Sequence, residues 1–85
     1  MTQRTQIRIE GIVQGVGFRP FVYREAAACG LTGWVLNDSQ GVLIEAEGPP
    51  EQLADFLDRL QQRLPPLATI TSLQQQEVSP KGDQD

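Results

Sequence analysis

The fold is decided at one stretch, QGVGFR at residues 14–19, where a strand gives way to a helix. Before it, apolar and polar residues alternate over residues 6–13, which predicts a half-buried strand. After it, apolar side chains recur at helical spacing from Pro20 to Cys29, and Gly30 is a suitable helix stop. Two glycines between these elements allow the backbone to curl, so that N–H groups and the positive end of the helix dipole face one hollow. Such a hollow suits an anion, and Arg19 places a forked cation at its rim.

Glycine spacing alone does not identify the anion. A dinucleotide-binding loop requires Gly-x-Gly-x-x-Gly, and here Pro20 stands at the third glycine position. A Walker loop ends in Gly-Lys-Ser/Thr, which this chain lacks. On the residues alone, one alternative therefore stays open: Gly15 and Gly17 form a tight turn before a helix, and Arg19 is an ordinary surface cation.

The remaining pattern predicts the element order βαββαβ. Two strands joined by turn residues form a hairpin, a proline pair opens a second helix, and a second proline pair ends it. This order predicts an α+β sandwich, with one antiparallel sheet and two helices packed on one of its faces. The predicted segments are a strand at Thr32–Asn37, a turn at 38–41, a strand at Val42–Glu47, a helix from Pro50 to Leu64 and a strand at Ala68–Leu73.

Composition limits the classes of function. The 85 residues suffice for one domain, and the net charge of −4 disfavours nucleic acid as a partner. No apolar run is long enough to span a bilayer, so no membrane association is expected. A lone Cys29 cannot form an internal disulfide, which favours a reducing cytoplasm, and its helical spacing predicts core packing.

We expect no metal site among the acidic side chains. Glu45 and Glu47 share one phase of a predicted strand, and we expect both to lie solvated on its outer face. Three further carboxylates, on Glu51, Asp55 and Asp58, are expected on the wet face of the second helix. The chain has no histidine, and no metal or other cofactor is expected.

Three separated segments resemble the signatures of the acylphosphatase family, at residues 11–19, at residues 30–37 with Gly41, and at residues 64–70. Together they extend over residues 6–73. The resemblance implies a ferredoxin-like fold and metal-independent hydrolysis of an acyl phosphate. It also implies that Arg19 binds phosphate and that Asn37 positions the attacking water, both as catalytic residues. The implied phosphate-binding residues are Gly15, Val16, Gly17, Phe18 and Arg19. We expect Gln14 to pack against the loop or to brace it rather than to react. Asp38 stays outside the predicted catalytic set, because a carboxylate beside a phosphate dianion is repulsive unless it points away.

A finer resemblance concerns the sequence RPFV at residues 19–22, together with Gly17 and the PPLA step at residues 65–68. These residues are similar to the N-terminal domain of the large hydrogenase-maturation carbamoyltransferases. That similarity implies carbamoyl phosphate as the acyl phosphate, and further domains of the same polypeptide and hydrogenase-maturation proteins as partners. The alternatives are a free-standing acylphosphatase of broad specificity and a non-catalytic ferredoxin-like module that binds an anion or a partner protein.

The end of the chain departs from the family pattern. Residues 1–78 are expected to form the domain, and the polar segment 79–85 is expected to be a disordered tail. Because family members usually close with a short fifth strand, we expect that the chain is a fragment of a longer one. A missing strand would leave one sheet edge open.

Overall fold

The computed structural model describes residues 2–80, and these residues have the predicted element order βαββαβ. All three strand pairings are antiparallel, and the strands lie side by side in the order β2-β3-β1-β4. The predicted fold class, an α+β sandwich of ferredoxin-like topology, is therefore confirmed. The elements are β1 at Gln3–Ile12, α1 at Phe18–Ala28, β2 at Thr32–Asp38, β3 at Gly41–Gly48, α2 at Pro50–Gln62 and β4 at Thr69–Val78.

A single apolar core lies between the sheet and the two helices. Alternate residues of each strand point to the same face, so β1 and β3 place their aliphatic side chains under the helices. Each helix contributes residues three or four positions apart, as its apolar stripe predicts. The fully buried members include Ile7, Ile9, Phe18, Phe21, Val42, Ile44, Phe56 and Leu60.

The helix α1 begins at Phe18, two residues before the predicted start at Pro20. Proline lacks a backbone N–H, and the first turn of a helix needs no such donor, so Pro20 fits inside that turn. The first backbone hydrogen bond of the helix runs from Phe21 N to Gly17 O, at 3.3 Å. The loop that precedes α1 is correspondingly shorter than the sequence pattern indicates.

The first and last strands of the chain, β1 and β4, are longer than predicted. β1 begins at Gln3, whereas the pattern indicates residue 6, and β4 extends to Val78, whereas the pattern indicates Leu73. The two extensions pair with each other, with Arg4 opposite Val78. Residues 74–77 of β4 are all polar and exposed, so backbone hydrogen bonds rather than burial of side chains hold them in the sheet. Since these residues are all polar, apolar alternation in the sequence does not predict that the strand continues to Val78.

Gly11 lies where the backbone of the neighbouring strand β4 approaches β1 closely. A Cβ atom at this position would lie 2.1 Å from the carbonyl oxygen of Thr69, well inside van der Waals contact. The strand register between β1 and β4 shifts between Glu10 and Gly11, and Gly11 has a φ of 140°. Only glycine tolerates both the crowding and the backbone angle, so this residue fixes the bulge in β1.

The prediction that Glu45 and Glu47 are solvated is wrong. Arg4, whose side chain is 1% exposed, lies between them on the sheet face opposite the helices. Its Nε donates to Glu45 Oε1 at 2.6 Å and its Nη1 donates to Glu47 Oε1 at 2.9 Å. Gln6 Nε2 also donates to Glu45 Oε2 at 3.1 Å. Strand β1 thus places Arg4 and Gln6 next to these carboxylates of β3. The sequence pattern of either strand alone does not predict this pairing.

Cys29 lies at the C-terminal end of α1, on the side that faces α2, and it is buried as predicted. Its Sγ donates to Asp55 Oδ2 at 3.6 Å. Burial, followed by the charge of Asp55, raises the pKa of the Cys29 thiol. Arg59 connects the helices, because it donates to Glu25 Oε1 at 3.1 Å and to Asp55 Oδ2 at 3.3 Å. The predicted wet face of α2 is confirmed, since Glu51, Asp55 and Asp58 are exposed.

Beyond β4, residues 79 and 80 belong to no helix or strand. The rest of the predicted tail, residues 81–85, lies outside the described residues. Within residues 2–80 the sheet has four strands, and β2 and β4 form its edges. Neither of the two helices found there is long and apolar enough to cross a membrane.

Candidate functional site

The loop between β1 and α1 is open on the side of its two glycines. Gly15 has a φ of 74° and Gly17 a φ of 79°, both in the left-handed region that favours glycine. A Cβ atom built on either residue would meet no atom within 4 Å. Backbone conformation rather than packing therefore requires glycine here, in contrast to Gly11. The space next to the loop is open to a ligand.

The N-terminus of α1 is not capped by a side chain. Its N-cap residue is Gly17, and the first turn contains no acidic residue. Among the turn, loop and cap hydrogen bonds of residues 2–80, none is donated by a backbone N–H of residues 15–17. By comparison, α2 has Glu51 in its first turn. The positive end of α1 is thus left uncompensated within the described part of the chain, and N–H donors are available to an anion.

Arg19 lies in this first turn, and its side chain is exposed. It takes part in no ion pair formed among residues 2–80. Arg4, Arg8 and Arg59, by contrast, each contact a carboxylate. The guanidinium of Arg19 therefore adds a full positive charge, with free donors, beside the uncapped end of α1. The geometry brings together the predicted phosphate-binding residues 15–19 in one loop and helix turn.

Asn37 lies one residue before the end of β2, where it pairs with Val42 of β3. By strand alternation its side chain shares a face with Val35, which contacts the helices, and it is exposed. A carboxamide at this position has access to water and offers both a donor and an acceptor.

Asp38, the next residue, points to the other face of the sheet. Arg8 Nη1 donates to Asp38 Oδ1 at 2.8 Å, and the backbone N–H of Gln40 donates to the same oxygen at 2.9 Å. The hydrogen bond from Arg8, and then that from Gln40, holds the pKa of Asp38 below its ordinary value. The carboxylate is therefore ionised at neutral pH and is hydrogen-bonded to Arg8.

Gln14 connects the loop to the β2–β3 turn. Its Nε2 donates to the carbonyl oxygen of Asp38 at 2.7 Å and to that of Gly41 at 3.1 Å. Gly15 follows Gln14 in the chain, and Asn37 precedes Asp38. The hydrogen bond between Gln14 and Asp38 therefore brings the glycine loop and the Asn37 amide to the same end of the sheet. A hollow of about 270 Å³ lies there, lined by residues 11–14 and 39–41.

Sequence reasoning predicted that Gln14 braces the loop, but it assigned no role to Arg8. Arg8 belongs to β1 and Asp38 to β2, and β3 lies between these strands. The only signal in the sequence is that both residues occupy the outward phase of their strands. Gly41, which pairs with Asp38, has a different constraint: a Cβ atom there would lie 2.2 Å from the carbonyl oxygen of Ile9 in β1.

Comparison with known proteins gives a consistent result. The family model described as Acylphosphatase matches residues 5–85. The acylphosphatase of Thermotoga petrophila is 44% identical over 94% of this chain and 89% of its own. In the structure of acylphosphatase from Bacillus subtilis, 93% of that chain superimposes on 99% of this one, with a TM-score of 0.88 and 40% identity.

Longer proteins also contain this domain. Carbamoyltransferase HypF2 of Cupriavidus necator is 48% identical over 99% of this chain. The chain spans 10% of the length of that relative. The structure of full-length HypF in a phosphate- and nucleotide-bound form matches all of this chain with a TM-score of 0.97 and 42% identity. The matches to both short and long proteins converge on one domain type, and the chain belongs to the acylphosphatase family.

Proposed function

We propose that this domain hydrolyses an acyl phosphate to a carboxylate and inorganic phosphate. The observation that supports the proposal most directly is the N-terminus of α1, which no side chain caps and which lies beside an open glycine loop and Arg19, an arginine without an ion pair among residues 2–80. In this proposal the N–H groups of residues 15–19 that are free to donate bind the phosphate oxygens. Arg19 binds two of those oxygens through its fork, and Asn37 orients the water.

The chemistry of the substrate explains why these few groups suffice. The leaving group is a carboxylate, which is stable without protonation, so no general acid is required. The bond between phosphorus and the acyl oxygen breaks with its electron pair passing to the carboxylate, while the water oxygen forms the new bond to phosphorus. Charge in the loose transition state lies on the equatorial oxygens, which fixed N–H donors and a guanidinium stabilise. The proton released by water passes to solvent or to the phosphate.

Asn37 has the second role in this scheme. Its amide oxygen accepts a hydrogen bond from the water and places the water opposite the leaving oxygen. Asp38 does not compete for this role, since its carboxylate is bound to Arg8 on the other face of the sheet.

For the substrate, we propose carbamoyl phosphate, which would yield carbamate and phosphate. The support is the sequence RPFV at residues 19–22 and the identity of 48% to a protein named carbamoyltransferase HypF2. In that setting the domain would act with further domains of one polypeptide and with hydrogenase-maturation proteins, in the cytoplasm. The relative from Thermotoga petrophila, which this chain covers over 89% of its length, favours a free-standing acylphosphatase as the second candidate.

Hydrolysis of benzoyl phosphate and of carbamoyl phosphate by the 85-residue chain tests these proposals. We expect Arg19→Ala to lower kcat/KM about a hundredfold or more, because it removes a charged donor pair from the transition state. Asn37→Ala is expected to abolish most turnover and to preserve the affinity for inorganic phosphate. The matched control is Arg24→Ala, which removes an exposed arginine from the same helix.

The outcomes separate the candidates. Undiminished turnover in Arg19→Ala would exclude the assigned site. Phosphate binding by the native chain without turnover of either substrate would indicate a non-catalytic module. Equal efficiency on both substrates would favour the enzyme of broad specificity over one committed to carbamoyl phosphate.

A further inference from the structure

Three side chains outside the proposed catalytic pair link the phosphate loop to the turn that follows Asn37. Gln14 donates to the backbone of this turn at two carbonyl oxygens, those of Asp38 and Gly41. Arg8 holds the turn from the other face of the sheet, through the carboxylate of Asp38 at 2.8 Å. We name Arg8, Gln14 and Asp38 together the turn clamp.

The turn clamp joins two parts of the site that the sheet alone holds only indirectly. Asn37 belongs to the edge strand β2, and the loop continues from β1, with β3 between them. A backbone on an edge strand has neighbours on one side only and moves more freely than a central strand. Arg8 lies in β1, and Gln14 lies directly before the two glycines of the loop. The contact of Arg8 therefore connects the Asn37 end of β2 to β1, and the contacts of Gln14 connect it to the start of the loop.

Asp38 takes part in the turn clamp through both its side chain and its backbone. Its Oδ1 accepts from the backbone N–H of Gln40 at 2.9 Å as well as from Arg8, which closes the turn around the carboxylate. One residue therefore presents its backbone oxygen to Gln14 and its side chain to Arg8, and Asn37 is its immediate neighbour in the chain.

We propose that Arg8, Gln14 and Asp38 are positioning residues, which set the distance and direction of the Asn37 amide relative to a phosphate held by the loop. This inference rests on the proposed function. In-line attack is sensitive to the placement of the water, and a misplacement of about 1 Å lowers the rate about a hundredfold. Phosphate binding depends on the loop and on Arg19, so loosening the clamp lowers kcat and leaves the affinity for phosphate largely in place.

The test compares kcat with the inhibition constant for inorganic phosphate in three variants: Arg8→Gln, Asp38→Asn and Gln14→Met. Asp38→Asn retains an oxygen for the N–H of Gln40, removes the negative charge and replaces the other oxygen with an NH2 donor. Gln14→Met retains the length of the side chain and removes the donor. We expect each variant to lower kcat about tenfold, and the pair Arg8→Gln with Gln14→Met to lower it about a hundredfold. The inhibition constant is expected to change less than about twofold, and Arg8→Lys should recover part of kcat.

Matched controls exist on α2, away from the site. Gln61 Nε2 also donates to a backbone carbonyl, that of Leu57 at 3.1 Å, and Asp55 also pairs with an arginine. We expect Gln61→Met and Asp55→Asn to leave kcat unchanged. Melting temperatures identify any variant whose loss of rate reflects unfolding, and those rates are taken at a temperature where the variant is folded.

The result separates this inference from the proposed function. A native chain that turns over, with clamp variants that match it in kcat, would overturn the positioning role alone. Clamp variants that weaken phosphate inhibition as much as kcat would also overturn it, because they would place the three residues in phosphate binding or in general stability. A native chain without turnover would overturn both the proposed function and the positioning role.

Discussion

Substituting alanine for Gly17 tests whether the open loop is the anion site. The φ of 79° places this residue in the left-handed region, where alanine costs about 1–2 kcal/mol relative to glycine. A Cβ atom there would meet no atom within 4 Å, so no packing penalty is added. In a domain of this size, each kcal/mol lowers the melting temperature by about 4–8 °C. Gly17→Ala is therefore expected to remain folded at 25 °C.

The effect on function should be larger than the effect on stability. The new methyl group projects into the space where the phosphate is proposed to bind, and the loop N–H groups change direction if the backbone relaxes. We expect the affinity for inorganic phosphate and kcat/KM for benzoyl phosphate each to fall about tenfold or more, as for loss of one or more aligned donors. Calorimetric titration with phosphate and a spectrophotometric hydrolysis assay measure the two quantities.

Gly11→Ala is the matched comparison, since it makes the same chemical change in a crowded place. Its Cβ atom would lie 2.1 Å from the carbonyl oxygen of Thr69 and 2.9 Å from the backbone nitrogen of Thr71. Overpacking and backbone strain together cost about 2–6 kcal/mol, a large share of the total stability of a small domain. Equal destabilisation by the two variants would contradict the openness of the loop. Unchanged phosphate affinity and turnover in folded Gly17→Ala would refute the loop as the site.

Two further predictions concern buried polar groups. Arg4→Met should lower the free energy of unfolding in urea by about 3–5 kcal/mol, because it withdraws the guanidinium that Glu45 and Glu47 contact in a buried position; a loss below about 1 kcal/mol would show that this cluster is solvated after all. Cys29 should react with a thiol reagent at pH 8 about tenfold or more slowly in the native chain than in urea, since burial and Asp55 raise its pKa and only the thiolate reacts. Because the pKa is raised by folding, the contribution of this thiol to stability is present below the ordinary pKa of a cysteine and is lost as the pH rises towards the folded value. Asp55→Asn should speed the native reaction, and a native rate equal to that in urea would contradict the burial of Cys29.

Local sequence determined the elements and the loop of this protein. The strand alternation and the helical stripes depend on neighbours within a few positions, so apolar spacing reveals them without knowledge of the fold. The left-handed angles at Gly15 and Gly17 are likewise local, because they follow from the absence of a Cβ atom and from a helix that must start at once. Arg19 is the second residue of that helix, so its place in the first turn follows directly from its position in the chain.

The ends of elements were less accessible to the same reasoning. The polar half of β4 joins the sheet through its backbone, and side-chain pattern carries no information about those hydrogen bonds. Pro20 by itself predicts the start of α1, but the first turn of a helix accepts proline after its first residue, and α1 begins at Phe18.

Tertiary structure alone decided which side chains meet. Arg4 contacts Glu45 and Glu47, and Arg8 contacts Asp38, because strand order and register bring residues about 30 to 43 positions apart into contact. Each of these residues by itself has the pattern of a solvated outer face, and the sequence of β3 does not show that Glu47 is buried beside an arginine of the neighbouring strand. The sequence by itself determined the elements, the glycine loop and the family resemblance, since these depend on local backbone preference and short motifs. The pairing of charges and the links between the loop and Asn37 depend on distance in space, which the order of residues along one strand does not contain.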